Sequence, residues 1–193
     1  MVKKCAMVAA LMLVLVPASA GADWLFTPNI GMGFGGNASG NEHASWGASF
    51  GWMGEGIFGW EADLAYTPEF FEAGDNDVDF IDNSNVTSFM ANAIIGVPVG
   101  GQTGLGFRPY FSLGAGVMQQ NVEGANDLFS INNSEFGVNL GAGAMGFMSD
   151  HVGLRGDIRY FRQLSDPELD NEFDIALGDF DFWRGTVGVT FRW

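Results

Sequence analysis

Read backwards from Trp193 in steps of two, the chain gives Phe191, Val189, Val187, Gly185 and Trp183. The intervening positions are Arg192, Thr190, Gly188, Thr186, Arg184 and Phe182. One parity is apolar with an aromatic at each end; the other is polar and carries two arginines. A period of two belongs to a β-strand whose faces meet different solvents. The alternating run covers residues 179–193, well beyond the roughly 5–6 residues usual for a globular strand. A strand that crosses a bilayer at a tilt needs about 9–11 residues, with aromatic side chains where it meets the headgroups. A lipid-facing strand is therefore the first expectation, and the remaining segments test it.

The opposite end of the chain reads as an export signal. Lys3 and Lys4 make a basic start, residues 6–16 an apolar core, and Ala18-Ser19-Ala20 a small-residue cleavage site. That core is far short of the ~20 residues a spanning helix needs. Two parts follow: a cleaved signal, residues 1–20, and one mature domain, residues 21–193. Cleavage removes the only cysteine, Cys5, so no disulfide framework is expected. It also removes both lysines, which leaves six arginines against 23 acids and a net charge of about −17. Nucleic acid is excluded as a partner, since phosphate binding needs a basic patch. High glycine, few prolines and many aromatics favour an all-β chain.

Alternation recurs along the mature chain at residues 25–35, 44–53, 57–67, 86–97, 107–119, 134–148 and 151–162, before the last segment. The first of these contains Pro28, which cannot donate a ladder hydrogen bond. The connections differ in length: 54–56 and 149–150 are short, 36–43 and 98–106 medium, and 68–85, 120–133 and 163–178 long and acidic. Eight strands with short turns on one side and long loops on the other specify an eight-stranded antiparallel up-and-down transmembrane β-barrel. Both termini are expected on the periplasmic side. Outside the signal there is no apolar run long enough for a spanning helix.

Alternation does not say which face is inside. A soluble barrel would line its interior with the apolar parity and turn the charged one to water. Here the polar parity is mostly glycine, serine and asparagine, which suits a narrow lumen. The apolar parity is bulky, with tryptophan or tyrosine near strand ends, as a lipid-facing belt requires. Lipid is therefore placed outside, and only a closed barrel pairs every backbone group there. The inward set then includes Glu61 and Asp63, Arg155, Asp157 and Arg159, and Arg184. Opposite charges in so narrow a lumen must pair. An ionic plug is the expectation, with a proton or ion path as the alternative.

These segments resemble the small eight-stranded outer-membrane β-barrel proteins of the OmpX, OmpA-barrel and opacity-porin type. The residues that carry the likeness are Ala18-Ser19-Ala20, Gly59-Trp-Glu-Ala-Asp-Leu-Ala-Tyr66, Gly153-Leu-Arg-Gly-Asp-Ile-Arg-Tyr160 and Val187-Gly-Val-Thr-Phe-Arg-Trp193. The resemblance covers the mature chain and implies location in the cell outer membrane of a Gram-negative-type bacterium. It implies contact with outer-membrane lipid and lipopolysaccharide, and with barrel-assembly machinery and periplasmic chaperones during biogenesis. Phe191 and Trp193 would form the assembly signal, although phenylalanine is commoner at the last position. A monomer without cofactor is expected. The family spans several roles, so fold does not carry function here.

Three further motifs weigh little. His43-Ala44-Ser45 resembles the His-x-Ser pair of outer-membrane lipid deacylases, but parity turns Ser45 inward, away from acyl chains. Asp75-Asn-Asp-Val-Asp79 starts like a calcium loop but lacks its glycine and the final glutamate. Asp166, Glu168, Asp170, Glu172 and Asp174 alternate along the last loop and read either as a solvated acidic face or as a strand running past the membrane. The expected function is non-enzymatic: a structural or surface-interaction protein with a plugged polar lumen and acidic extracellular loops whose ligand is unnamed. A narrow solute pore and a lipid-modifying hydrolase are the alternatives.

Overall fold

Each alternating segment forms a strand. The computed structural model describes residues 23–38, 43–54, 56–68, 81–100, 105–124, 130–164 and 177–193. Its strands are β1 (Asp23–Phe34), β2 (His43–Met53), β3 (Phe58–Pro68) and β4 (Ile81–Gly96), then β5 (Gly106–Gly124), β6 (Ser130–Phe147), β7 (Val152–Leu164) and β8 (Leu177–Arg192). Each pairs with its sequence neighbour, and β8 pairs with β1, so the sheet closes as an antiparallel barrel. Trp24 and Trp193 exchange backbone hydrogen bonds of 2.9 and 3.2 Å at the seam.

The register fixes the shape. The ladder that leaves β1 at Trp24 passes through Trp52, Trp60, Ala93, Leu113, Leu140, Tyr160 and Trp183 and returns to β1 at Phe34. That is a stagger of ten residues around eight strands. A climb of about 33 Å over eight strands spaced about 4.7 Å apart gives a tilt of about 41°. Trp183 and Trp193 stand on the outer face at opposite ends of the apolar run of β8. Ten residues at that tilt separate them by about 25 Å, the height of an outer-membrane apolar band.

The outer wall is apolar as parity required. Ile30, Trp46, Phe89, Phe111, Leu113, Leu140, Ile158 and Val187 are all exposed on it. Trp24, Phe50, Trp60 and Trp193 cluster with ring centroids 5.3 to 6.4 Å apart at the end that holds the termini. Trp46 with Tyr66, and Tyr160 with Trp183, form close pairs at the other end. Short turns lie at the terminus end. One is sealed by Ser149, whose Oγ accepts from the backbone N–H groups of His151 and Val152.

The strands at the loop end run further than alternation indicated. β4 begins at Ile81 rather than Val86, β5 continues to Gly124 and β6 begins at Ser130. Beyond the apolar band a strand meets water on its outer face, so polarity stops alternating while the backbone keeps pairing. Asn121 opposes both Asn85 and Asn132 in such a region. Between β1 and β2, Gly35 and Gly36 have positive φ values of 67° and 56°. A Cβ at Gly36 would lie 2.2 Å from the carbonyl oxygen of Asp181, so the turn closes against β8 only with glycine there.

Candidate functional site

Inward-facing residues of a tilted strand recur every second position, so a charge on one strand lies level with charges on strands well separated in sequence. Glu61 and Asp63 of β3 meet Arg155, Asp157 and Arg159 of β7 and Arg184 of β8 at mid-barrel, all of them buried. Arg155 pairs with Glu61 through Nη1 and with Asp157 through Nε at 3.1 Å. Arg159 reaches Glu61 at 2.8 Å, Asp157 at 3.1 Å and Asp63 at 3.9 Å. Arg184 pairs with Asp63. Three guanidinium groups thus balance three carboxylates, and the six residues singled out from the sequence lie together in the lumen.

Polar neighbours extend the network. Tyr110 donates to Asp157 at 2.6 Å and accepts from Nε of Arg155 at 2.7 Å. Asn139 donates to Asn92 at 2.8 Å, and Asn92 to Glu61 at 3.3 Å. Ser88 accepts from Arg184 at 3.1 Å. The guanidinium of Arg155 also lies 4.8 Å from the Tyr110 ring centre, and that of Arg184 lies 4.6 Å from Phe161. Tyr110, Asn92 and Asn139 were not singled out from the sequence, although all three lie on the inward parity. One gap in this layer, lined by Thr27, Ser49, Asp63, Arg155, Asp157, Arg159 and Thr186, leaves no room for a water molecule.

Apolar layers lie on both sides of the charges, which the sequence reading did not foresee. Towards the loops, Val86, Met90, Met118, Phe161, Phe180 and Phe182 pack together, with the Phe161 and Phe182 rings stacked at 4.9 Å. Towards the termini, Leu25, Met53, Ile94, Tyr110, Met145 and Phe147 do the same. These side chains occupy inward positions near strand ends, where sequence parity alone looked like a lapse in polarity. Methionine supplies a large share because its unbranched chain fills irregular gaps.

The other candidates fall as follows. Ser45 is buried on the inward face, as parity indicated, and His43 shares that face, so neither meets lipid. Phe191 and Trp193 are exposed on the outer face at the terminus end, 42% and 59% accessible. Asp75 to Asp79, residues 166–174 and residues 1–20 lie outside the described residues. Among the described residues no cluster of His, Cys, Asp or Glu has the composition to hold a metal ion.

A family model described as "Outer membrane protein beta-barrel domain" matches residues 6–191. Neisserial surface protein A superposes with a TM-score of 0.64 at 12% identity, covering 90% of this chain and 99% of that one. Ail of Yersinia pestis, crystallised with the heparin analogue sucrose octasulfate, gives 0.58 at 14% identity, with 91% and 100% covered. OprH of Pseudomonas aeruginosa gives 0.52 at 14% identity, with 89% and 99% covered. At such identities the likeness is one of fold. No curated protein sequence matches the chain.

Proposed function

Since the chain belongs to the outer membrane protein beta-barrel domain family and resides in the outer membrane, we propose that it is a non-enzymatic barrel with a closed lumen that acts at the cell surface through its acidic inter-strand segments. The observation that carries this reading is the neutral layer of three arginines and three carboxylates between two apolar layers. A solute on this path would shed its hydration at an apolar layer and then separate buried ion pairs. Each uncompensated charge left there costs several kcal/mol. The same layer locks β3 against β7 and β8 across the barrel, so its role is to set the shape that presents the loops.

Charge supports the surface role. Five of the six arginines, Arg108, Arg155, Arg159, Arg184 and Arg192, are buried inside the barrel. The segments joining β3 to β4 and β7 to β8 contain many acids and no basic residue. They suit a basic partner surface, or divalent cations bridged to lipopolysaccharide phosphates. The polyanion bound to Ail has the opposite preference, so that ligand does not transfer. Phe191 and Trp193 serve the barrel-assembly machinery in this reading, after periplasmic chaperones deliver an unfolded monomer.

Liposome swelling tests the class. Vesicles carrying the folded chain should swell in isotonic arabinose or glycine no faster than empty vesicles. Swelling that scales with protein content and falls with solute size would establish a pore instead.

A further inference from the structure

The end of the barrel that holds the termini carries two cations that the central network does not use. Arg108 of β5 and Arg192 of β8 both point inward and are only 4% and 5% exposed. They lie on the open side of the apolar layer that contains Met53, Tyr110 and Phe147. Arg192 is held in place. Its Nε donates to the carbonyl oxygen of Asp150 at 2.7 Å, its Nη1 is 3.7 Å from Asp23, and its guanidinium stacks 4.1 Å from the Phe147 ring centre.

Arg108 is held only by its stem. A Cβ at Gly96 would lie 3.2 Å from its Cγ and 3.3 Å from its Cδ, so the aliphatic chain is packed against β4. Its guanidinium forms no hydrogen bond or ion pair among the described residues. Its nitrogens are not sealed off, unlike Nη2 of Arg155, Nη1 of Arg159 and Nε of Arg184. They reach the mouth. Among the described residues, Asp23 and Arg192 are the charged groups that act on Arg108. Asp23, 28% exposed on its side chain, lies within ion-pair distance of Arg192 and not of Arg108.

A guanidinium taken from water without an anion is costly, and the cost falls when an oxyanion accepts its fork of N–H donors. We infer that the terminus-end mouth is an oxyanion site in which Arg108 and Arg192 bind a phosphate or carboxylate group and Asp23 competes with it. The apolar layer behind the two arginines strengthens the attraction by excluding water. The group enters from the compartment this end faces or from a lipid headgroup of the adjoining leaflet; the chemistry recognised is the same. The inference stands on its own residues and does not require the lumen to be closed.

The test is a titration of the full folded chain in phosphatidylcholine nanodiscs with inorganic phosphate, read at the arginine Nε resonances by NMR. The Nε signals of Arg108 and Arg192 should shift saturably. In Arg108→Gln the remaining Arg192 response should need about tenfold more phosphate or more, given the strength of a charge-assisted hydrogen bond. Asp23→Asn should tighten binding several-fold by removing the competitor, and it keeps the idea falsifiable if Arg108→Gln fails to fold. Including phosphatidylglycerol in the disc distinguishes the sources: weaker apparent phosphate binding identifies the lipid headgroup, and unchanged binding identifies a soluble oxyanion. A linear, non-saturating shift, or variants indistinguishable from wild type, would overturn the site.

Discussion

Asp63 is paired inside the barrel chiefly with Arg184, because Arg159 approaches it no closer than 3.9 Å. Arg184→Met therefore leaves a carboxylate almost unpaired and should cost about 3–5 kcal/mol in urea unfolding from bilayers. Adding Asp63→Leu should recover most of that loss, since a buried pair replaced as a unit by apolar groups is often near neutral. Glycines divide the same way by face. A Cβ at Gly143 would lie 2.5 Å from Cβ of Asp157 and 2.6 Å from the Tyr110 hydroxyl, whereas the nearest atom to one at Gly156 is 3.7 Å away. Gly143→Ala should lose about 1–3 kcal/mol and Gly156→Ala should stay within about 0.5 kcal/mol in the same assay. Parity placed the six charges inside, but it could not pair them. Glu61 and Arg155 lie 94 residues apart, on strands that do not touch, and only the register of the closed barrel brings them level. Arg108 was illegible for a related reason: nothing local marks a cation whose partners stand across the barrel.

Among the elements, β8 has two tasks, closing the sheet and presenting its aromatic end. Its ladder to β1 is interrupted between Phe26↔Phe191 and Asn29↔Gly188. The gap falls at Pro28, which has no N–H to give. Thr27 and Thr190 bridge it from inside with a hydroxyl hydrogen bond of 2.9 Å. The proline thus weakens one ladder without ending the strand, because β1 stays paired with β2 through Pro28↔Ala48. At the other end, Phe191 and Trp193 face outward, with Trp193 at the edge of the aromatic cluster beside Phe50. The double variant Phe191→Ala/Trp193→Ala should lower the amount of barrel in the outer membrane of cells several-fold while leaving unassisted refolding into vesicles nearly unchanged. Equal impairment of both would make these aromatics part of barrel stability and not of assembly. Strand existence and facing were legible because lipid imposes alternation; strand ends were not, because water on the outer face removes that constraint while pairing persists.

For the whole molecule, charge and layering govern behaviour. Acids between strands, with five of the six arginines buried in the lumen and its mouth, give an exterior with little positive charge to offer. The folded protein should therefore pass through a heparin column at low salt, where surface attraction would be strongest; retention would mean that the arginines reach the surface after all. The internal order of apolar layer, neutral ionic layer and apolar layer was only half legible: the charges were visible in sequence, the packed layers on either side were not. Steady-state recording in planar bilayers tests the closed lumen most directly. Reconstituted protein whose folded state is verified by its faster gel migration before boiling should show no stepwise openings at moderate voltage. Uniform, long-lived conductance steps from that same preparation would contradict a closed lumen and turn the six central charges into the lining of an ion path.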